Sequence, residues 1–151
     1  MQPLQKLLHY GQSYWLDNLT RGMLKRGELK ARVREQGLRG MTSNPSTFNE
    51  AISKSDDYDD RIASLVRDGH TVEAIYERLV VQDVQDACDI LRPVYDDAEG
   101  ADGFVSLEVS PHLAYDAEGT MQEVRRLWQA VDRPNVMIKI PGTPPGVTAI
   151  E

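Results

Sequence analysis

The chain has 151 residues, enough for one domain with its own core, and its 40% hydrophobic and 27% charged content is that of an ordinary globular protein. A formal net charge of −7 argues against nucleic acid as a partner, though a local basic pocket for a small phosphate is compatible with it. A single cysteine, Cys88, excludes an internal disulfide and a Cys-rich metal cluster, the scattered His9, His70 and His112 suggest no metal site, and no apolar run approaches the roughly 18 residues of a membrane span.

The first residues, Met1-Gln2-Pro3-Leu4-Gln5-Lys6, lack the basic-then-apolar plan of a signal peptide, so the cytoplasm is the expected compartment. Residues 4–10 predict a short helix, with Leu4, Leu7 and Leu8 on one side and Gly11 at its end. Residues 13–18 read as a strand that is aromatic and apolar but closes on Asp17 and Asn18. Thr20 can cap the helix that follows, in which Leu24, Leu29 and Val33 recur at helical spacing, and Gly27 is placed to split it. Residues 38–43 form a second strand that runs into Asn44-Pro45, where the proline holds its predecessor extended and the chain must turn.

Residues 46–53 predict a short helix. Residues 56–67 predict another, with acidic residues at its positive end and Gly69 after it. Thr71 caps the longest helix, whose apolar positions run through Leu79, Val80, Val84, Ala87, Ile90, Leu91 and Val94; Pro93 should bend or restart it near its end. Residues 103–110 are a third strand, with Val105, Leu107 and Val109 on one face and Ser106, Glu108 and Ser110 on the other. A helix over 116–131 should bury Met121, Val124, Leu127, Trp128 and Val131.

The fourth strand is Asn135-Val136-Met137-Ile138-Lys139-Ile140, bounded by Pro134 and Pro141-Gly142. Residues 146–151 open one more helix. Strands alternating with helices are the mark of an α/β fold with a parallel sheet. A closed (β/α)8 TIM barrel takes about 250 residues. Four βα units are half of one, so the expectation is the N-terminal half of a barrel: residues 1–151 as a partial barrel domain, truncated, with the remaining strands beyond 151.

Lys139 is the anomaly in this pattern, a lysine inside an apolar strand. Its plainer reading is an edge-strand residue whose ammonium reaches water along its stem. The chemical reading is a nucleophile. A neutral amine attacks a carbonyl to form a Schiff base, and about 0.04% of an unperturbed lysine is neutral at pH 7, so an enclosed, desolvating pocket is expected around it. Asp17, Asn44, Glu108 and Lys139 each fall at or near the C-terminal end of a different strand, the end at which barrel enzymes carry their chemistry. Taken singly, Asp17 could cap a helix, Asn44 could make the turn before Pro45, and Glu108 could pair with a surface lysine. Together they suit aldol cleavage through an iminium, in which two carboxylates with unlike environments share the proton transfers.

The same residues lie in motifs that resemble the transaldolases. These are Trp15-Leu16-Asp17-Asn18-Leu19, Gly40-Met41-Thr42-Ser43-Asn44-Pro45-Ser46, Val105-Ser106-Leu107-Glu108-Val109-Ser110 with Leu113-Ala114-Tyr115-Asp116 after it, and Met137-Ile138-Lys139-Ile140-Pro141-Gly142-Thr143. They stand in the family's order over nearly the whole chain, and the long helical stretch between the second and third strands is similar to the larger transaldolase type. The resemblance implies Lys139 as the Schiff-base lysine and Glu108 as the acid/base acting through a water. It implies Asp17 as the group handling the proton of the hydroxyl at the cleaved bond, and Thr42, Asn44 and Ser106 as substrate-binding residues. It implies transfer of a dihydroxyacetone unit from sedoheptulose 7-phosphate to glyceraldehyde 3-phosphate in the non-oxidative pentose phosphate pathway, with sugar phosphates as partners and with no metal or organic cofactor. It allows a homo-oligomer and, in a full-length gene product, a fusion to glucose-6-phosphate isomerase. The alternatives are a fructose 6-phosphate aldolase-like enzyme, which releases free dihydroxyacetone, and a catalytically inert half-barrel fragment. Pro111 and His112 fall where the resemblance assigns no role, and the Pro144-Pro145 pair is an unusual opening for the next helix, although proline at a first helical position is acceptable.

Overall fold

Four short strands, β1 (Tyr14–Asp17), β2 (Leu38–Thr42), β3 (Val105–Glu108) and β4 (Val136–Lys139), form one sheet in the order β1-β2-β3-β4, every neighbouring pair parallel. This is the α/β arrangement that the alternating pattern predicts, seen here in a computed structural model that describes residues 3–150. The register runs Asp17 opposite Thr42, Met41 opposite Val105, and Glu108 opposite Lys139. Within the described residues, neither β1 nor β4 has a strand on its outer side.

The crossovers are helical. After a 3-10 helix at Leu4–Tyr10 and strand β1 come α1 (Arg21–Lys25) and α2 (Glu28–Ala31), separated at Gly27, whose φ of 71° is the left-handed turn that breaks the helix in two. Thr20 caps α1, its hydroxyl accepting the Met23 N–H at 3.2 Å. Between β2 and β3 lie α3 (Pro45–Lys54), α4 (Asp59–Arg67) and the 26-residue α5 (Val72–Asp97). The expected helix over 56–67 is a 3-10 turn at Asp56–Tyr58 followed by α4. Helix α5 starts on its Thr71 cap and runs through Pro93 without the restart the sequence allowed. Helix α6 (Ala117–Val131), capped by Asp116, joins β3 to β4, and α7 (Pro144–Ile150) follows β4. Helix α7 begins at the proline pair, where a missing N–H costs nothing. Glu151, predicted as part of it, lies outside the described residues. None of the helices among the described residues is long and apolar enough to cross a membrane.

One face of the sheet is apolar and covered. Met41, Val105, Leu107, Val109 and Val136 pack against Leu29 of α2, Phe48 of α3, the Val80–Val84–Ala87–Leu91 stripe of α5, and Leu127 and Val131 of α6. Trp128 is not in that stripe, and the expectation that it is buried is corrected here. It is 55% exposed, because a helix turns about 100° per residue and the buried line runs through Thr120, Val124, Leu127 and Val131. By strand alternation the other face carries Trp15, Asp17, Gly40, Thr42, Ser106, Glu108, Met137 and Lys139. Here Gly40 is required: a Cβ on it would stand 2.2 Å from the Trp15 indole.

Two polar devices tie the helices down. Buried Asn135, just before β4, donates through Nδ2 to the carbonyls of Cys88 in α5 and Gly103 before β3, both at 2.9 Å. Buried Arg21 of α1 donates from Nε to Asp83 of α5 at 2.8 Å and from Nη2 to the Leu79 carbonyl at 3.1 Å. The Tyr58 hydroxyl donates to the second Asp83 oxygen at 2.9 Å and accepts the Arg21 backbone N–H at 3.0 Å. Burial pushes the Asp83 carboxyl up while the Arg21 guanidinium and the Tyr58 hydroxyl pull it back, and burial and Asp83 together push the Tyr58 phenol up.

Candidate functional site

Asp17, Thr42, Ser106, Glu108 and Lys139 share, by register and alternation, the sheet face that the helices leave uncovered, towards its C-terminal end, whereas Asn44 lies just beyond β2 as the cap of α3. Parallel pairing does the positioning. Glu108 and Lys139 are directly opposed on β3 and β4, and their side chains meet with Nζ 3.0 Å from Oε2. Asp17 and Thr42 are opposed on β1 and β2, and the threonine hydroxyl donates to the carboxylate at 2.5 Å. Since Met41 lines up with Val105, Thr42 falls level with Ser106, one inward-facing position below Glu108.

Ser106 is buried, and its hydroxyl has no hydrogen-bond partner among the described residues. A buried hydroxyl left unpaired is costly, so it marks a position for a polar ligand atom or a water. Asn44 caps α3: its Oδ1 accepts the Thr47 N–H at 2.9 Å, the Ser46 hydroxyl at 2.6 Å and the Thr47 hydroxyl at 3.1 Å. What Asn44 can offer a ligand is therefore its amide N–H2 group. Sequence reasoning missed Ser43, whose buried hydroxyl donates to the Ser106 carbonyl at 2.7 Å and braces β2 against β3. The lone hydroxyl between Thr42 and Asn44 is the only signal that could have pointed to it.

The enclosed pocket expected around Lys139 is not what the structure shows. The Lys139 side chain is 37% exposed and that of Glu108 27%, because β4 is an edge of the described sheet and the face it shares with β3 has no opposing layer. What stands there is a partly exposed ion pair. A cavity of about 450 Å³ opens nearby, between β3 and helices α3, α5 and α6. It takes in Asn44 and Glu108 beside Phe48 and Tyr76, but neither Lys139 nor Asp17 lines it. No group of three His, Cys, Asp or Glu side chains among the described residues is placed to hold a metal ion.

Comparison with known proteins fits this layout. The family model described as Transaldolase/Fructose-6-phosphate aldolase matches residues 14–151. A transaldolase of Thiobacillus denitrificans is 53% identical over 141 residues, covering 93% of this chain and 39% of the relative. Transaldolase 2 of Nostoc punctiforme is 51% identical over 148 residues, covering 98% and 39% respectively, and the transaldolase of Thermobifida fusca is 45% identical over 98% of this chain and 40% of its own length. The chain thus spans about two fifths of the curated relatives it matches. Its four parallel βα units are what one part of a (β/α)8 barrel contains. On the match over 14–151 and on relatives this close, the chain belongs to the transaldolase/fructose-6-phosphate aldolase family.

Proposed function

We propose that the chain supplies the first four βα units, and the reacting residues, of a transaldolase that moves a dihydroxyacetone unit between sugar phosphates through a Schiff base on Lys139. The observation that carries this reading is the contact of Lys139 Nζ with Glu108 Oε2 at 3.0 Å, at the same strand end as the Asp17–Thr42 pair.

In this reading the Lys139 amine attacks the ketone carbon of the donor sugar. Glu108, acting through a water, passes the protons that turn the carbinolamine hydroxyl into leaving water, and an iminium remains. Asp17 takes the proton from the hydroxyl on the departing carbon. The carbon–carbon bond breaks, its electrons move into an enamine held on Lys139, and the aldehyde leaves. The enamine then attacks the aldehyde of the acceptor, Asp17 returns the proton, and hydrolysis frees the lysine. Thr42 orients Asp17, and the unpaired Ser106 hydroxyl and the Asn44 amide bind hydroxyls of the three-carbon unit or the water. The reaction needs the amine free of its proton, so the rest of the family's barrel, closing over the open face of the sheet, would supply the desolvation that this part lacks.

The test is a chimera in which residues 14–151 replace the matching part of the Thiobacillus denitrificans transaldolase. Incubated with fructose 6-phosphate and borohydride, it should gain the mass of a reduced dihydroxyacetone adduct, and Lys139→Ala should not. A folded chimera that gives no adduct, or an adduct that survives Lys139→Ala, overturns the reading. That the relatives are named transaldolases favours transfer over simple aldol cleavage. Turnover that needs an aldose phosphate acceptor supports transfer, and free dihydroxyacetone released without one favours the aldolase.

A further inference from the structure

The two inner strands of the sheet are joined unlike the outer pairs. β1 is in register with β2 from Tyr14 to Asp17, and β3 with β4 from Val105 to Glu108, whereas β2 and β3 are in register only at Met41 and Val105. Below that point main-chain bonds hold the inner pair, Gly103 N–H to the Arg39 carbonyl at 2.8 Å and Met41 N–H to the Phe104 carbonyl at 3.0 Å. The next rung of a parallel ladder would run from the Ser43 N–H to the Ser106 carbonyl. In its place the Ser43 hydroxyl donates to that carbonyl at 2.7 Å. The donor after that would be residue 45, a proline, which has no N–H to give. A side chain therefore makes the last link between β2 and β3. Ser43 is fully buried, and Ser106 is nearly so. The residues around this link are the three assigned to the substrate: Thr42 precedes Ser43, Asn44 follows it, and Ser106 owns the carbonyl.

We propose that Ser43 is a positioning residue for the donor sugar: its hydroxyl holds the end of β2 against β3 and so sets the spacing between Thr42 and Asn44 on one strand and Ser106 on the other. The inference rests on the function proposed above and concerns how that site holds its three-carbon unit. It involves the inner pair of strands alone, each flanked by a further strand of the sheet. Ser43 acts through its neighbours and makes no bond to the sugar. Without its hydroxyl the buried Ser106 carbonyl loses its partner, and the strand ends are free to part just where donor hydroxyls must be met from both sides.

The experiment uses the chimera and measures the rate of borohydride-trapped adduct over a series of fructose 6-phosphate concentrations. Ser43→Ala should raise the half-saturating concentration by about tenfold or more while the saturated rate falls by less than about threefold, because the loss lands on groups that hold the donor and spares Lys139 and Glu108. A fall in the saturated rate at unchanged half-saturation is the mark of general damage and overturns the proposal. Ser43→Cys fills the same space with a weak donor and should match Ser43→Ala. Wild-type half-saturation in Ser43→Cys would mean that volume matters and the bond does not, which also overturns it. Should Ser43→Ala fail to fold by circular dichroism, Ser43→Cys carries the same test. Ser106→Ala should weaken donor binding too, and the double variant should fall well short of the product of the two single effects, since both act through one contact. Effects that multiply overturn the coupling. A wild-type chimera that forms adduct, with Ser43→Ala indistinguishable from it, overturns this proposal and leaves the function standing. A folded wild-type chimera without adduct overturns the function, and this inference with it.

Discussion

The Arg21–Asp83–Tyr58 network makes a quantitative prediction. Asp83→Ala removes a fully buried carboxylate that accepts from Arg21 Nε at 2.8 Å and from the Tyr58 hydroxyl at 2.9 Å. The variant keeps Arg21, a residue only 9% exposed, now without its counter-charge, and a buried phenol without its acceptor. The remaining bond from Arg21 Nη2 to the Leu79 carbonyl does not neutralise the charge. Breaking one side of a buried pair costs about 3–5 kcal/mol, a large share of the roughly 5–15 kcal/mol that a domain has in all. At roughly 2–4 °C per kcal/mol for a chain of this size, the midpoint of thermal unfolding should fall by about 10–15 °C. Urea titration followed by far-ultraviolet circular dichroism reads the loss directly. The double variant Arg21→Met with Asp83→Leu removes both charges and fills the space with apolar groups, so it should recover most of the stability. A single-variant loss under about 1 kcal/mol, or a double variant as damaged as the single, would refute the claim that an uncompensated buried charge sets the cost.

In the chimera, Glu108→Ala should slow adduct formation by more than about tenfold, positioned acid/base groups being worth roughly 10²–10⁴ in rate. An unchanged trapping rate removes Glu108 from the mechanism. Asp17→Ala should still give the borohydride adduct while release of the aldehyde falls by about 10² or more; normal release would sink its role. Arg126 of α6 grips both Glu77 oxygens on α5, at 2.7 and 2.6 Å, and holds that carboxyl below its usual range. A depressed carboxyl stabilises above its unfolded value and stops doing so as pH falls through its folded one. Between pH 6 and pH 3 the wild type should therefore lose up to about 1 kcal/mol more than Glu77→Gln, and equal slopes would refute the clamp. Burial pushes the Cys88 thiol up to about 12. It should resist iodoacetamide in mildly alkaline buffer until urea unfolds the chain, and rapid native labelling, read by mass, would contradict its burial.

The strands were legible because each has a covered and an uncovered face. Val105, Leu107 and Val109 against Ser106 and Glu108 is a pattern that burial alone writes, and it located the ends where Asp17, Thr42 and Lys139 lie. Which of those side chains would touch was less legible, since contact depends on register, and register depends on pairing between strands as far apart in the chain as Met41 and Val105. Whether Lys139 would be enclosed was not legible, because it turns on β4 being an edge. Asp83 was missed although its place gave a hint: it stands four residues after Leu79 and four before Ala87, an acid in the middle of an apolar stripe. Trp128 misled through size. A large aromatic beside Leu127 looks like core, yet one position off the stripe is enough to turn it to solvent.

Both carboxylate pairs sit on adjoining rungs of a ladder, Asp17 beside Thr42 and Glu108 beside Lys139. Their separations are thus governed by the spacing of hydrogen-bonded backbones, about 4.8 Å, and not by the shape of any connecting segment. Insertions after Glu108 or Lys139 can change which molecules reach these groups without altering the distances between them. A lineage built on this sheet can diversify what it admits while the spacing of these facing side chains is inherited intact.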